Sequence, residues 1–478
     1  MHIVFSNFCR LHLLIALLAC GNVAAAQDWA TYRGNNQRTG NVDGQAGPSA
    51  PQLLWVHKTK DDFIAAPVPF AKTKTLFASA LGPFNTSSFQ AFSIDAAPKQ
   101  RVVWTKAVPY LKLPTVSSPS YSNELLVFGD GMHQTDGAVL HGIRIDNGLP
   151  LWQLPLPGQL VHLEGSPTIA QGRIFIGGGN AGVLCVDPSR LQLDGKDVDA
   201  AAARAALEKR WQELSAKYEQ EKKVDPDFAI PPNEDSLPKP RPKIAWQVGQ
   251  GQWHVDAPLA VAGDKVLVAS AYLDEEKVGR RALLCLSAAA GQVVWQTPLD
   301  LNPWGGPTVV GDTVLLGGSN IRLEPNDVPR AKGEVLAVSL ADGKIRWRNT
   351  VKGGVVSTVA VKDGLAIFTS TDGTVRGWDV STGSERWSYA GNSPFFASPA
   401  VASGTAYVGD LRGVVHAINI ADGKQLWSFD LATNPQTAAP GMIYASPVVE
   451  GGRLYVVTCN LTKQNNAAGS VVVCIGAK

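Results

Sequence analysis

The sequence predicts an all-β fold: an eight-bladed β-propeller closed through its N-terminal strand, with one helical insertion in blade three. Two recurring motifs and one count predict it. A hairpin recurs in which a short alternating strand meets a glycine turn and returns on a strand ending in tryptophan. Ahead of each hairpin stand small residues and a proline, then an apolar pair, a glycine turn and a Val/Tyr-rich strand. Together the motifs make four short strands per unit, the organisation of a propeller blade. The hairpin tryptophans number eight: Trp55, Trp104, Trp152, Trp246, Trp295, Trp347, Trp387 and Trp427.

Composition agrees with a turn-rich ordered chain. Apolar residues make up 45% and charged residues 18%, and 47 Gly with 31 Pro exceed what helix interiors tolerate. Lys and Arg total 43 against 41 Asp and Glu, a net charge of +2 that argues for neither a nucleic-acid nor an anionic-membrane partner.

Residues 1–26 carry Arg10, an apolar stretch over 11–19 and Ala24-Ala25-Ala26 before Gln27, the layout of a cleaved secretory signal. The chain is therefore expected in the periplasm or outside the cell. A second reading takes Leu17-Leu18-Ala19-Cys20-Gly21 as a lipobox, with Cys20 the lipidated N-terminus of an outer-membrane lipoprotein; cleavage after Ala26 is preferred. No later segment is long and apolar enough to span a membrane. Residues 27–51 read as a collar lying across the propeller, with Trp29 and Tyr32 buried and Arg33 paired, and residues 52–478 as the propeller itself.

The clearest hairpins run over 337–347, with Asp342-Gly343-Lys344, and 417–427, with Asp422-Gly423-Lys424. Residues 377–387 and 285–295 repeat the pattern, and 142–152 do so more loosely. The glycine supplies the positive φ of the turn, and the tryptophan docks on a neighbouring sheet. Ala397-Ser398-Pro399 followed by Tyr407-Val408-Gly409 shows the preceding motif cleanly. Most neighbouring tryptophans are 40–52 residues apart, but Trp152 and Trp246 are separated by about twice that. An insertion over 188–243 replaces the hairpin loop of blade three. Within it 198–223 places Leu207, Trp211, Leu214 and Tyr218 on one face, an amphipathic helix expected to pack on the outside of the propeller. Glu213 with Lys217, and Glu219 with Lys223, are expected as exposed pairs. Asp225-Pro226 stops the helix, and prolines to 242 give a stiff return. The last unit supplies three strands, ending near Cys474, and Trp55 has no unit before it. Pairing the strand around 53–57 onto the last three completes the ring and removes its free edges.

Residues just before each innermost strand should rim one mouth of the channel: Phe63, Glu164, His254, Asp256, Trp304, Phe396 and Tyr444. That rim is aromatic on one side, suited to stacking a planar ligand or gripping an extended peptide. Long connections over 82–88, 132–137, 273–281, 320–332 and 460–469 belong to the same face and bring His133, Arg322 and Arg330 there. Cys185, Cys285, Cys459 and Cys474 are scattered, with no C-x-x-C pair, and read as buried thiols. His57, His141 and His416 fall on strands of different blades and read as packing residues. No metal ligands and no catalytic residues are assigned.

The repeat over 377–387 and 417–427 resembles the tryptophan-docking motif of the pyrroloquinoline-quinone-like propellers, and the likeness covers about 28–478. That resemblance implies two functional classes: quinone-dependent alcohol and sugar dehydrogenases, and the BamB-like propeller lipoproteins of outer-membrane barrel assembly. The dehydrogenases imply a Ca²⁺ site of oxygen ligands beneath the quinone, an Asp base and often a vicinal disulfide; no such set stands out in this sequence. The preferred reading is an exported scaffold that binds protein partners, envelope or barrel-assembly components among them, without a cofactor. The alternatives are a dehydrogenase using pyrroloquinoline quinone with Ca²⁺, and a binder of carbohydrate or another small ligand.

Overall fold

The computed structural model describes residues 28–42, 44, 46–82, 86–133, 135–461 and 469–477; the expected signal segment and Cys20 lie outside them. Eight antiparallel sheets follow one another along the chain, seven of them built from consecutive strands. Blades 1 to 7 span residues 68–106, 120–156, 168–248, 260–298, 308–352, 360–390 and 400–430. Blade 8 is built from both ends of the chain: the first strand, Leu53–Thr59, pairs with the last, Ser470–Ile475, which is followed inward by Arg453–Val457 and Val448–Glu450. Trp55 lies opposite Cys474 and His57 opposite Val472 in that pairing, so the two ends of the ring close it.

Each innermost strand is three residues long, and most of its side chains are buried. The outermost strands show the tryptophan motif in place. Every motif tryptophan faces a small residue on the third strand, namely Ala91, Gly142, Cys185, Cys285, Ala337, Gly377, Ala417 or Cys474. Three of the four cysteines of the propeller are thus the space under an indole, and all four are buried and free. Burial pushes the Cys285 thiol up to about 11 and the Cys474 thiol up to about 12, away from reactivity.

The indole then reaches across to the next blade. Trp246, Trp295, Trp347 and Trp387 donate Nε1–H to the carbonyls of Ala288, Leu340, Val380 and Ile420, at 2.6–3.0 Å. Each ring covers the turn glycine of that blade. Gly383, at φ +73°, has room for no side chain, because a Cβ would stand 2.7 Å from Trp347; Gly423, at φ +72°, would meet Trp387 at 2.8 Å. The turn therefore demands glycine twice over, for its backbone and for the ring above it.

Three tryptophans lack such a turn, and each is accommodated differently. Trp152 would dock on blade 3, whose turn has been replaced by the insertion; it is buried instead among Leu191, Ala203 and Leu156. Trp427 would dock on the outer hairpin of blade 8, which is split between the two ends of the ring, and its Nε1–H reaches the Pro48 carbonyl at 3.3 Å. Trp55 meets the blade 1 turn under the Arg101 guanidinium, 4.3 Å from the ring centroid.

The insertion is more ordered than a replaced loop. The third strand of blade 3 runs on to Leu193 and pairs with a short strand, Lys196–Asp199, before the helix Ala200–Val224 begins. Asp199 caps that helix, accepting from the Ala202 N–H at 2.7 Å. Ala203 and Leu207 are its buried residues, while Trp211, Leu214 and Tyr218 are half-covered on the outer strand side of blade 2. Glu213 takes Arg210 and Lys217 takes Glu221, in place of the pairs expected from spacing. The return segment pins Glu234 to Lys106 of blade 1, so the insertion straps three neighbouring blades.

Trp387→Ala is expected to lower the unfolding free energy by about 3–5 kcal/mol, the cost of an emptied aromatic site. Cys474→Leu, which forces a larger side chain under Trp55, is expected to cost about 1–3 kcal/mol by overpacking. Chemical denaturation of each variant checks both.

Candidate functional site

The collar corks one end of the central channel. Its carbonyls take up the N–H groups of successive innermost strands: Ala30 accepts from Tyr121, Asn36 from Val261, Gln37 from Val309, Thr39 from Val361 and Gly40 from Val401, all at 2.7–2.9 Å. Trp29 N–H donates to Glu450 of blade 8 at 3.1 Å, and Asn36 reaches the Ile169 carbonyl of blade 3. Arg38 is fully buried at the centre. It donates to the carbonyls of Leu259, Tyr32 and Pro167 at 2.9, 2.6 and 3.2 Å, and to Thr31 Oγ1 at 2.7 Å. With no carboxylate on it, burial draws its pKa down to about 9. Arg33 was expected to be paired; it too holds a carbonyl, that of Pro399, rather than an acid.

The other end opens into a cup of about 440 Å³, within the size range of ligand pockets. Tyr32 of the collar supplies its inner end, its hydroxyl 3.1 Å from Thr358 Oγ1 and 3.2 Å from Ser398 Oγ. One wall is apolar: Trp304, Phe396 and Tyr444, with Leu323 and Leu461 from two of the long connections. Phe396 and Tyr444 meet edge to face at 5.1 Å, and Arg322 lies 5.5 Å from the Trp304 ring centroid. The opposite wall is polar, with His133, Glu164 and Asp256.

At that polar wall three histidines from blades 2, 3 and 4 converge, His133 lining the cup and His162 and His254 buried behind it. His133 comes from the connection between the second and third strands of blade 2, and His162 and His254 from the segments entering blades 3 and 4. Each offers a ring nitrogen within 4.8 Å of the others, and the ring centroids are 5.2–6.1 Å apart. Carboxylates surround them. His133 Nε2 is 2.7 Å from Glu276 Oε1, and His254 Nε2 is 2.9 Å from Asp256 Oδ1. His162 is 3.5 Å from Glu164 and 3.6 Å from Asp256, and neither of its ring nitrogens has a hydrogen-bond partner. Burial raises the Glu164 pKa, whereas His162 and His254 overcome the burial of Asp256 and hold it below the usual carboxylate range.

This donor set does not fit a calcium–quinone centre. Calcium takes six to eight oxygen ligands, whereas Asp256 and Glu276 are engaged by imidazoles and the shared focus is made of ring nitrogens, which suit a borderline transition ion. The buried cysteines are free and dispersed among blades 3, 4 and 8, so they supply no lid.

Of the expected rim residues, Glu164, Asp256, Trp304, Phe396 and Tyr444 line the cup. His254 stands behind them, fully buried beside Asp256. Phe63 is in the core between blades, packed against Phe92, and its neighbours Ile64, Ala65 and Ala66 reach the cup instead. Of the expected loop residues, His133 and Arg322 face the cup, while Arg330 is exposed and paired with Asp327 at 2.7 Å. His162 was not singled out by sequence. The signal was a repeated His-x-acid pair, His162-Leu163-Glu164 and His254-Val255-Asp256, each just ahead of the proline opening an innermost strand.

His57, His141 and His416 are packing residues. His141 pairs with Asp130 and Gln153, and His416 with Asp410 and Tyr389, while the His57 ring lies 5.1 Å from that of Phe92.

A family model described as outer membrane protein assembly factor BamB matches residues 46–203 and 305–475. The chain belongs to that family. The unmatched stretch between the two segments holds most of the helix and blade 4 with the segment entering it, and so His254, Asp256 and Glu276. A search of curated protein sequences finds no significant match. Among solved structures, BamB from Moraxella catarrhalis is similar at 13% identity and a TM-score of 0.57, covering 89% of this chain and 100% of that one. A europium-containing methanol dehydrogenase is similar at 12% identity and a TM-score of 0.63, covering 94% and 98%. Quinohemoprotein alcohol dehydrogenase from Comamonas testosteroni follows at 12% and 0.60, covering 96% and 82%. At these identities the likeness is one of fold, shared by the BamB family and by quinone enzymes alike.

Arg38→Met is expected to destabilise this BamB-family propeller by at least about 2 kcal/mol, because each buried carbonyl left without a donor costs roughly 1–3 kcal/mol. Thermal unfolding of the variant beside the wild type measures it.

Proposed function

We propose that the chain is a non-catalytic binding propeller of the cell envelope that takes a segment of a partner protein into the cup at its channel mouth. The observation that carries this is the shape and lining of the cup: blind at the collar, open on the face of the long connections, aromatic on one wall and acidic and imidazole-bearing on the other. An extended segment can bury one or two apolar side chains against Trp304, Phe396 and Tyr444 while its polar groups meet Glu164, Asp256 and Arg322. A cup of about 440 Å³ admits a few side chains and no folded domain. Membership of the BamB family supports partners drawn from outer-membrane barrel assembly, and the apolar stretch with Ala24-Ala25-Ala26 supports export to meet them there. No helix of the described chain is long and apolar enough to cross a membrane. Anchorage through Cys20 is the second route by which the propeller would be held at the outer membrane.

A photo-crosslinking residue placed at Leu461 in cells is expected to give one or a few discrete protein adducts. Phe396→Ala together with Tyr444→Ala should reduce them several-fold while the fold is retained by circular dichroism. Absence of protein adducts, or adducts indifferent to the aromatic pair, overturns this reading. Addition of pyrroloquinoline quinone with Ca²⁺ is expected to leave the Tm unchanged and to elicit no dye-linked alcohol oxidation; a Tm rise with activity would make the dehydrogenase reading the right one.

A further inference from the structure

Two histidine–carboxylate pairs elsewhere in the propeller show what a completed structural pair looks like in this chain. His141 Nε2 stands 2.8 Å from Asp130 and its Nδ1 3.2 Å from Gln153; His416 Nε2 stands 3.2 Å from Asp410 and its Nδ1 3.0 Å from Tyr389. Both ring nitrogens are used, and one acid serves one imidazole. The cluster at the cup departs from this on each count. His162 is 0% exposed with neither nitrogen bonded, and His254 is 0% exposed with Nδ1 unbonded. One oxygen of Glu276 is also buried without a hydrogen bond, 3.6 Å from the Arg322 guanidinium. Orphaned polar atoms are expensive when dispersed through a core; here they are gathered at one point.

We propose that His133, His162 and His254 form a binding site for a single divalent transition-metal ion of the zinc type, with the ion's remaining coordination position turned toward the cup. Imidazole nitrogens are the ligands such ions prefer, and three protein ligands with one open position is the pattern of sites that bind a further group. In a tetrahedral site with metal–nitrogen bonds of about 2.0–2.1 Å, ligand atoms lie roughly 3.3–3.4 Å apart. The three nitrogens, within 4.8 Å of one another, need to draw in by about 1 Å or a little more; His133, the half-buried member of the three, sits on a connection between strands.

The surrounding acids act as the outer layer of such a site. Glu276 on His133, Asp256 on His254, and Glu164 and Asp256 flanking His162 hold the imidazoles in orientation. Three carboxylates face three imidazoles; among the described residues Arg322 is ion-paired with one of them, 3.6 Å from Glu276, and a doubly charged ion offsets the remaining negative charge. Glu164 and Asp256 line the cup, which places the ion within reach of a carboxylate, imidazole or thiolate carried in by an occupant. The site goes beyond the partner-binding reading and does not depend on it.

The test uses the full chain without a histidine tag. Elemental analysis after dialysis against Zn²⁺, and titration with ZnCl₂ by calorimetry, are expected to give one ion per chain. Co²⁺ is expected to give the intense visible absorption of a low-coordinate site, and Zn²⁺ to raise the Tm relative to chelator-treated protein. His254→Gln and His133→Ala together should abolish binding. Glu276→Gln should weaken it by roughly 10–100-fold, and His416→Gln should leave it intact. Because His254 is buried, the single variant His133→Ala, on the loop, supplies a folded control and is expected to lose at least tenfold in affinity. Sub-stoichiometric binding by the wild type, or stoichiometric binding that survives in the double variant, overturns the proposal.

Discussion

Eight small sheets set edge-on around an axis leave eight innermost strands with one side unpaired, and that constraint shapes the rest of the molecule. Those edges cannot bond each other across the channel, and buried N–H groups left alone are costly. The collar answers it by carrying its own carbonyls from one blade to the next, with Arg38 satisfying the carbonyls that converge at the centre. Because this consumes one end of the channel, only the other is left as a cup. The position of the candidate site therefore follows from how the ring's inner edges are satisfied.

Around the circumference the corresponding problem is to fix the angle between wedge-shaped blades. The repeat solves it with one side chain per joint: an indole over a glycine turn, seated on Ala, Gly or Cys beneath. The three joints that lack the turn show that the requirement is for cover over the indole, not for one sequence. A helix, a collar carbonyl and an arginine each serve.

Most of the fold was legible because it repeats. Trp–Gly spacing carries the number of blades, and the three-strand remainder before Cys474 carries the closure. The insertion was legible as a doubled gap, but its extra strand pair was not, since Leu191 to Val198 has no stronger strand pattern than its surroundings. The site was harder to read, because its parts come from segments entering blades and from loops, where no periodicity operates. Phe63 illustrates the difficulty: being next to an innermost strand does not decide whether a ring points into the channel or between blades. His162 was hidden between Val161 and Leu163 in a stretch that reads as apolar, and only its likeness to His254-Val255-Asp256 marks it.

The pairing of Leu53–Thr59 with Ser470–Ile475 has a consequence in time as well as in space. It joins residues more than 400 positions apart, and the collar just ahead of it touches every blade from the second to the eighth. Neither contact can be made until the chain between them has been arranged, so ring closure belongs to the slow, non-local part of folding. Early blades can be stacked while the inner end of the cup is still missing. A chain arrested short of its final strand would present loops and aromatic rings without the enclosure they need, and competence to bind would mark a ring that has finished.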